Sequence, residues 1–115
     1  MTDRYNLSKI KAFIGDDEIV MNELIDLFLK HTPEMVLKIK DGLTKKDYDQ
    51  VNFYAHKLKS SIDNFSIDEL IEDVRTIENN AKKRLSLESL PDLINKLDSV
   101  IKDIINEMKK DLNKK

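Results

Sequence analysis

The chain has 115 residues, the size of one domain (1–115), and 40% of them are apolar, enough for a single buried core. Its 20 Lys+Arg against 22 Asp+Glu leave a net charge of −2, which argues against nucleic-acid binding through bulk charge. With no cysteine and only two glycines, the sequence excludes disulfides, thiolate nucleophiles and Cys-ligated zinc, and argues against a glycine-rich phosphate loop.

Helical periodicity predicts five segments in chain order. The first is short, from Leu7 to Ile14, with Gly15 as its stop. The second starts after Asp16 or Asp17 as N-cap and carries Val20, Leu24, Leu27, Phe28, Met35, Ile39 and Leu43. Pro33 either kinks it or opens a new helix, and Gly42 lies near its end. The third begins near Asp47, with an apolar seam of Tyr48, Val51, Ala55, Leu58, Ile62 and Phe65, in steps of three or four. The fourth opens on Ser66-Ile67-Asp68-Glu69, which reads as a capping box, and carries Ile67, Leu70, Ile71, Val74 and Ile77. The fifth runs from Leu87 or Leu90 to Leu112, with Pro91 in its first turn and a broad stripe from Leu90 through Leu93, Ile94, Leu97, Val100, Ile101, Ile104 and Ile105 to Met108. Asn113-Lys114-Lys115 should fray. Short connections make successive long helices antiparallel neighbours. The expected fold is all-α: an up-down four-helix bundle with a short extra N-terminal helix, closing its own core as a monomer.

No apolar run exceeds three residues, against about 20 needed to cross a bilayer. Met1-Thr2-Asp3-Arg4 leads into no apolar signal core, so a cytoplasmic location and no membrane partner are expected. A chain beginning on Met1 also fits a free-standing protein.

Chemistry has few places to sit. Of the two histidines, His31 lies at the end of a helical run before Thr32-Pro33 and reads as structural or superficial. His56 differs by its phase. At about 100° per residue it points about 130° away from the seam of its helix, so it should face solvent. Asn52 and Phe53 lie one turn before it, Lys59 and Ser60 one turn after. Phe53 also points off the seam, either as part of a docking surface or as a ring covered by the first helix.

The stretch Ala55-His56-Lys57-Leu58-Lys59-Ser60-Ser61, followed by Phe65-Ser66-Ile67 and Leu70, resembles the signature of histidine-containing phosphotransfer (HPt) domains, roughly A-H-x-L-K-G-S-x-x-x-L-G-A-x-x-L. The segment Leu27-Phe28-Leu29-Lys30-His31-Thr32-Pro33-Glu34 is similar to the same family's helix leading into proline. Two departures stand out. Ser60 replaces the usual glycine four residues after the histidine, and Phe65-Ser66-Ile67 replaces Leu-Gly-Ala. A hydroxyl at position 60 leans over the turn carrying His56, where it bears on the transfer rate.

The resemblance implies a phosphorelay intermediate in two-component signalling. His56 would take a phosphoryl group from an aspartyl phosphate on a response-regulator receiver domain, downstream of a hybrid histidine kinase, and pass it to another receiver. Neutral imidazole, with a reference pKa of about 6.5, is a competent nucleophile, and Nε2 is the nitrogen held farther from the backbone. Lys59 would balance phosphoryl charge, while Asn52, Phe53, Lys57, Ser60 and Asp63 would form the contact rim. The chain would have no kinase or nucleotide site and no cofactor of its own, the Mg²⁺ being the receiver's.

Two rival chemistries lack their residues. A kinase dimerisation helix usually carries an acid directly after its histidine, where Lys57 stands. A di-iron bundle needs Glu three residues before each histidine, where Phe28 and Phe53 stand. The remaining alternative is a helical adaptor that docks a receiver or kinase and transfers nothing.

Overall fold

A computed structural model describes residues 4–112, and the expected fraying of residues 113–115 lies outside that range. The described chain is helical throughout its regular structure: α1 Ser8–Ile14, α2 Glu18–Lys45, α3 Tyr48–Asn64, α4 Asp68–Lys83 and α5 Leu90–Asp111. Each long helix packs on the next, and α2 also meets α5, so the four enclose one core with α1 lying against α2.

Gly15, at φ 68°, ends α1, its N–H returning to the Lys11 carbonyl. Asp17 is the N-cap of α2, its carboxylate accepting from the N–H groups of Ile19 and Val20 at 3.1 Å. The helix then runs through Pro33 without a break, although proline donates nothing to the carbonyl four residues back. Its buried seam is Ile25, Phe28, Thr32, Val36, Ile39 and Gly42. This corrects the sequence reading, because Leu27 is 50% exposed and Leu24, Met35 and Leu43 are only partly buried. The true seam contains a threonine, which hydrophobicity alone passes over.

Gly42 sets how closely α2 and α3 approach. A β-carbon there would sit 3.0 Å from both the Asp47 carbonyl oxygen and Val51 Cγ2. Asp47 caps α3, accepting from the Gln50 N–H at 3.1 Å. Val51, Ala55, Leu58 and Ile62 are completely buried, and Phe65 stacks on Phe28 with ring centroids 4.3 Å apart. Val51, Leu58 and Ile62 each contribute roughly 1.5–3 kcal/mol by leaving water, and the single methyl of Ala55 less.

The corner into α4 differs from the expected capping box. Ser66 does not cap α4, and the Ile67 position carries no side-chain cap. Ser66 is instead left-handed, at φ 52°. Its N–H donates to the Asp63 carbonyl at 3.1 Å, and the Ile67 N–H donates to the Ile62 carbonyl at 3.0 Å. These two bonds form a Schellman motif, with Ile62 and Ile67 both fully buried, so Ser66 ends α3 rather than starting α4. Lys46 and Arg84 are left-handed at the two corners of the other end. A 3₁₀ turn, Leu87–Ser89, leads into α5, which accounts for both starts expected from the sequence. The α5 stripe is buried as expected, except that Leu93 is only partly covered.

The N-terminal segment straps the Ser66 end. Arg4 pairs with Glu69 at 2.8 Å and reaches Asp103 at 3.4 Å, and the Asn6 N–H donates to the Phe65 carbonyl at 2.8 Å. Tyr5 donates to Asp111 at 3.0 Å, and burial together with that bond pushes its phenol up to about 12.

Candidate functional site

The helix that carries His56 is flanked on both sides, by α2 and by α4. Its seam turns inward, and the His56 side chain, off that seam, is 66% exposed. An imidazole in mid-helix with its seam fully buried has no freedom to rotate into the core. Its environment is therefore set by whatever the neighbouring helix presents beside it.

What α4 presents is Glu78. His56 Nδ1 hydrogen-bonds Glu78 Oε2, and Lys59 Nζ donates to the other carboxylate oxygen, Oε1, at 3.1 Å. The Asn52 amide donates to the Glu78 backbone carbonyl at 2.9 Å, which fixes this turn of α4 against α3. The Glu78 side chain is only 17% exposed. Burial pushes its carboxyl up, but hydrogen bonds and charge from His56 and Lys59 outweigh it and hold the group below the usual glutamate value.

An ionised carboxylate can only accept hydrogen bonds, so the shared proton belongs to Nδ1. The neutral ring then keeps its lone pair on Nε2, the nitrogen without a protein partner in this contact. Chemically, the arrangement is a solvent-facing nitrogen nucleophile with an oriented ring, an anionic neighbour on its far nitrogen and an ammonium one turn away.

The other sequence-predicted positions separate into two groups. Asn52 and Lys59 converge with His56 on Glu78. Phe53 and Lys57 pair with each other, the ammonium 4.8 Å above the ring centroid. Phe53 also meets Tyr54 edge-on and is 52% exposed, so α1 does not cover it. Ser60 is exposed. Asp63 is turned toward α4, where Arg75 lies 3.8 Å away, while its carbonyl accepts from Lys9. His31 is exposed beside Glu34, with Nδ1 3.4 Å from that carboxylate, and lines a cleft between α2 and α3 together with Tyr54 and Lys57.

Glu78 was not found from the sequence. A signal existed: folding the chain back at Ile67 sets His56, eleven residues before it, opposite Glu78, eleven after. Using it requires knowing where the corner lies, and the capping-box reading displaced that corner.

Among the described residues no cluster of three or more His, Asp or Glu is placed to hold a metal ion. No helix among them is long and apolar enough to cross a membrane. Compared with known families, residues 23–111 match the model of the Hpt domain. No curated protein and no solved structure gives a significant match.

Proposed function

The chain belongs to the Hpt domain family, whose members take part in histidine phosphotransfer, and from that premise we propose that His56 is the residue that carries the phosphoryl group. In this reading Nε2 attacks the phosphorus of an aspartyl phosphate on a response-regulator receiver domain. The P–O bond to the acyl oxygen breaks, and its electron pair leaves with the aspartate carboxylate. The new P–Nε2 bond leaves the ring positively charged while Nδ1 keeps its proton. Return transfer to a second receiver reverses the same bonds.

The observation that carries the reading is the Nδ1–Glu78 contact on a ring that is two thirds exposed. It selects the tautomer with a free Nε2 and puts a negative charge beside the ring as positive charge develops there. Lys59 has three N–H donors and gives one to Glu78, so it can also meet the phosphoryl oxygens. Its role is charge balance at a half-wet site, a modest one. Phe53, Lys57 and Ser60 supply the exposed rim against which a receiver would dock; Asn52 and Asp63 serve that rim through their ties to α4. The in-line geometry and the Mg²⁺ are read as the receiver's contribution, and the chain as a cytoplasmic relay with no kinase activity of its own.

The test is incubation with phosphorylated receivers and Mg²⁺. Acid-labile label on this chain, absent in His56→Gln, is the expected result. A stable complex that never takes up label would replace the relay with the adaptor.

A further inference from the structure

Glu78 has a second consequence once the phosphoryl group is in place, and it rests on the reading of His56 as the acceptor. We propose that Glu78 is a positioning residue that keeps the phosphoryl group on His56 labile, by holding the proton on Nδ1 of the phosphorylated ring. When phosphohistidine gives up its phosphoryl group, the P–Nε2 bond breaks and its electron pair returns to Nε2. If Nδ1 still carries its proton, the ring departs as neutral imidazole. If that proton has been lost, the ring must depart as imidazolate, a far poorer leaving group. The phosphoryl group passes to an incoming oxygen, either of a carboxylate or of water.

The geometry decides which case applies. Glu78 is nearly enclosed, already ionised, and fixed through its own main chain by Asn52. The charges around the ring are otherwise turned away from it. On α3, Lys57 covers Phe53, and on α4, Arg75 faces Asp63. Across the cleft, His31, Glu34 and Lys38 of α2 line the far side of Lys57. Lys59 points at Glu78 Oε1, not at Nδ1. An ionised carboxylate held against Nδ1 accepts only from a protonated nitrogen, so it favours the form of the ring that keeps its proton there. Glu78 thus keeps the ring a good leaving group by holding that proton in place.

The experiment uses potassium phosphoramidate as the phosphoryl donor on the whole chain, whose loss of ammonia forms the P–N bond without any partner protein. After removal of donor, the ³¹P signal of phosphohistidine is followed at pH 8 in the unmodified chain, Glu78→Gln and Glu78→Ala, with ¹⁵N shifts reporting the proton on Nδ1. The amide still accepts from Nδ1–H in the unphosphorylated ring but brings no charge, so Glu78→Gln should load more slowly than the unmodified chain and Glu78→Ala more slowly still. Both variants should then decay about tenfold more slowly, with Nδ1 deprotonated. Decay in both variants at the unmodified rate, with label formed on His56, overturns this inference and leaves the phosphoacceptor standing. Label that persists in His56→Gln, or none in any chain, overturns both.

Discussion

The bundle closes its α3–α4 face and its α2–α5 face in different ways. Between α3 and α4 an unbroken apolar seam is bordered by polar ties along its whole length: Asp49 to Arg84 at 3.0 Å, Asn52, His56 and Lys59 to Glu78, and Asp63 to Arg75. Between α2 and α5 one carboxylate, Asp98, takes both Lys40 and Lys102 at 3.1 Å. The rest of that side is an open groove of about 330 Å³ lined by Pro33, Val36, Ile101 and Ile105, with Leu37 on its rim 63% exposed. Exposed ion pairs add little stability, typically about 0–1 kcal/mol. Their density on one face therefore concerns register more than energy, and that face bears the histidine.

The largest effect expected from this contrast is in truncation. Leu58→Ala, beneath the α3–α4 seam, should lose about 3 kcal/mol in urea unfolding, whereas Leu37→Ala should change stability by less than about 0.5 kcal/mol. Equal losses would erase the distinction between the faces. A smaller effect belongs to the corner that joins α3 to α4. Ser66 sits at positive φ, where glycine is unstrained, so Ser66→Gly should raise stability by about 0.5–1 kcal/mol and the midpoint of thermal unfolding with it.

The smallest difference lies in acid. Glu78 and Asp98 are each pushed up by burial but held below their ordinary 4.5 and 3.8 by their cationic partners. A depressed carboxyl contributes stability that is present above its unfolded value and lost as pH falls through its folded value. Urea midpoints measured from about pH 5 down to about pH 3 should thus fall less steeply in Glu78→Gln and Asp98→Asn than in the parent. If only one variant flattens the curve, the two faces differ in electrostatics as well as in closure.

The sequence was most legible where residue type and period agree. The α3 seam repeats in steps of three or four with no polar member, so both its burial and the outward phase of His56 follow from counting. The α2 seam was misread because Thr32 occupies a buried position and Leu27 an exposed one, so an apolar count selects the wrong stripe. Ser66 was misread because a Ser followed by Glu three residues on is common to a helix start and, by accident, to this helix end. Only backbone dihedrals separate the two. Glu78 is a matter of tertiary register: nothing within α4 marks it until α3 is laid alongside.

Arg84 closes the end of the α3–α4 pair away from Ser66. Its guanidinium lies 5.4 Å from the Tyr48 ring centroid while pairing with Asp49, so the residue that caps the end of one helix grips the first turn of the other. The rod that bears the imidazole is in this way clamped near both of its tips, and its swaying as a whole is damped. In-line displacement at phosphorus punishes misalignment of about 1 Å by about a hundredfold in rate. On the proposed reading, accuracy of aim is then a mechanical property of the hairpin, set two helical turns away from the atom that reacts.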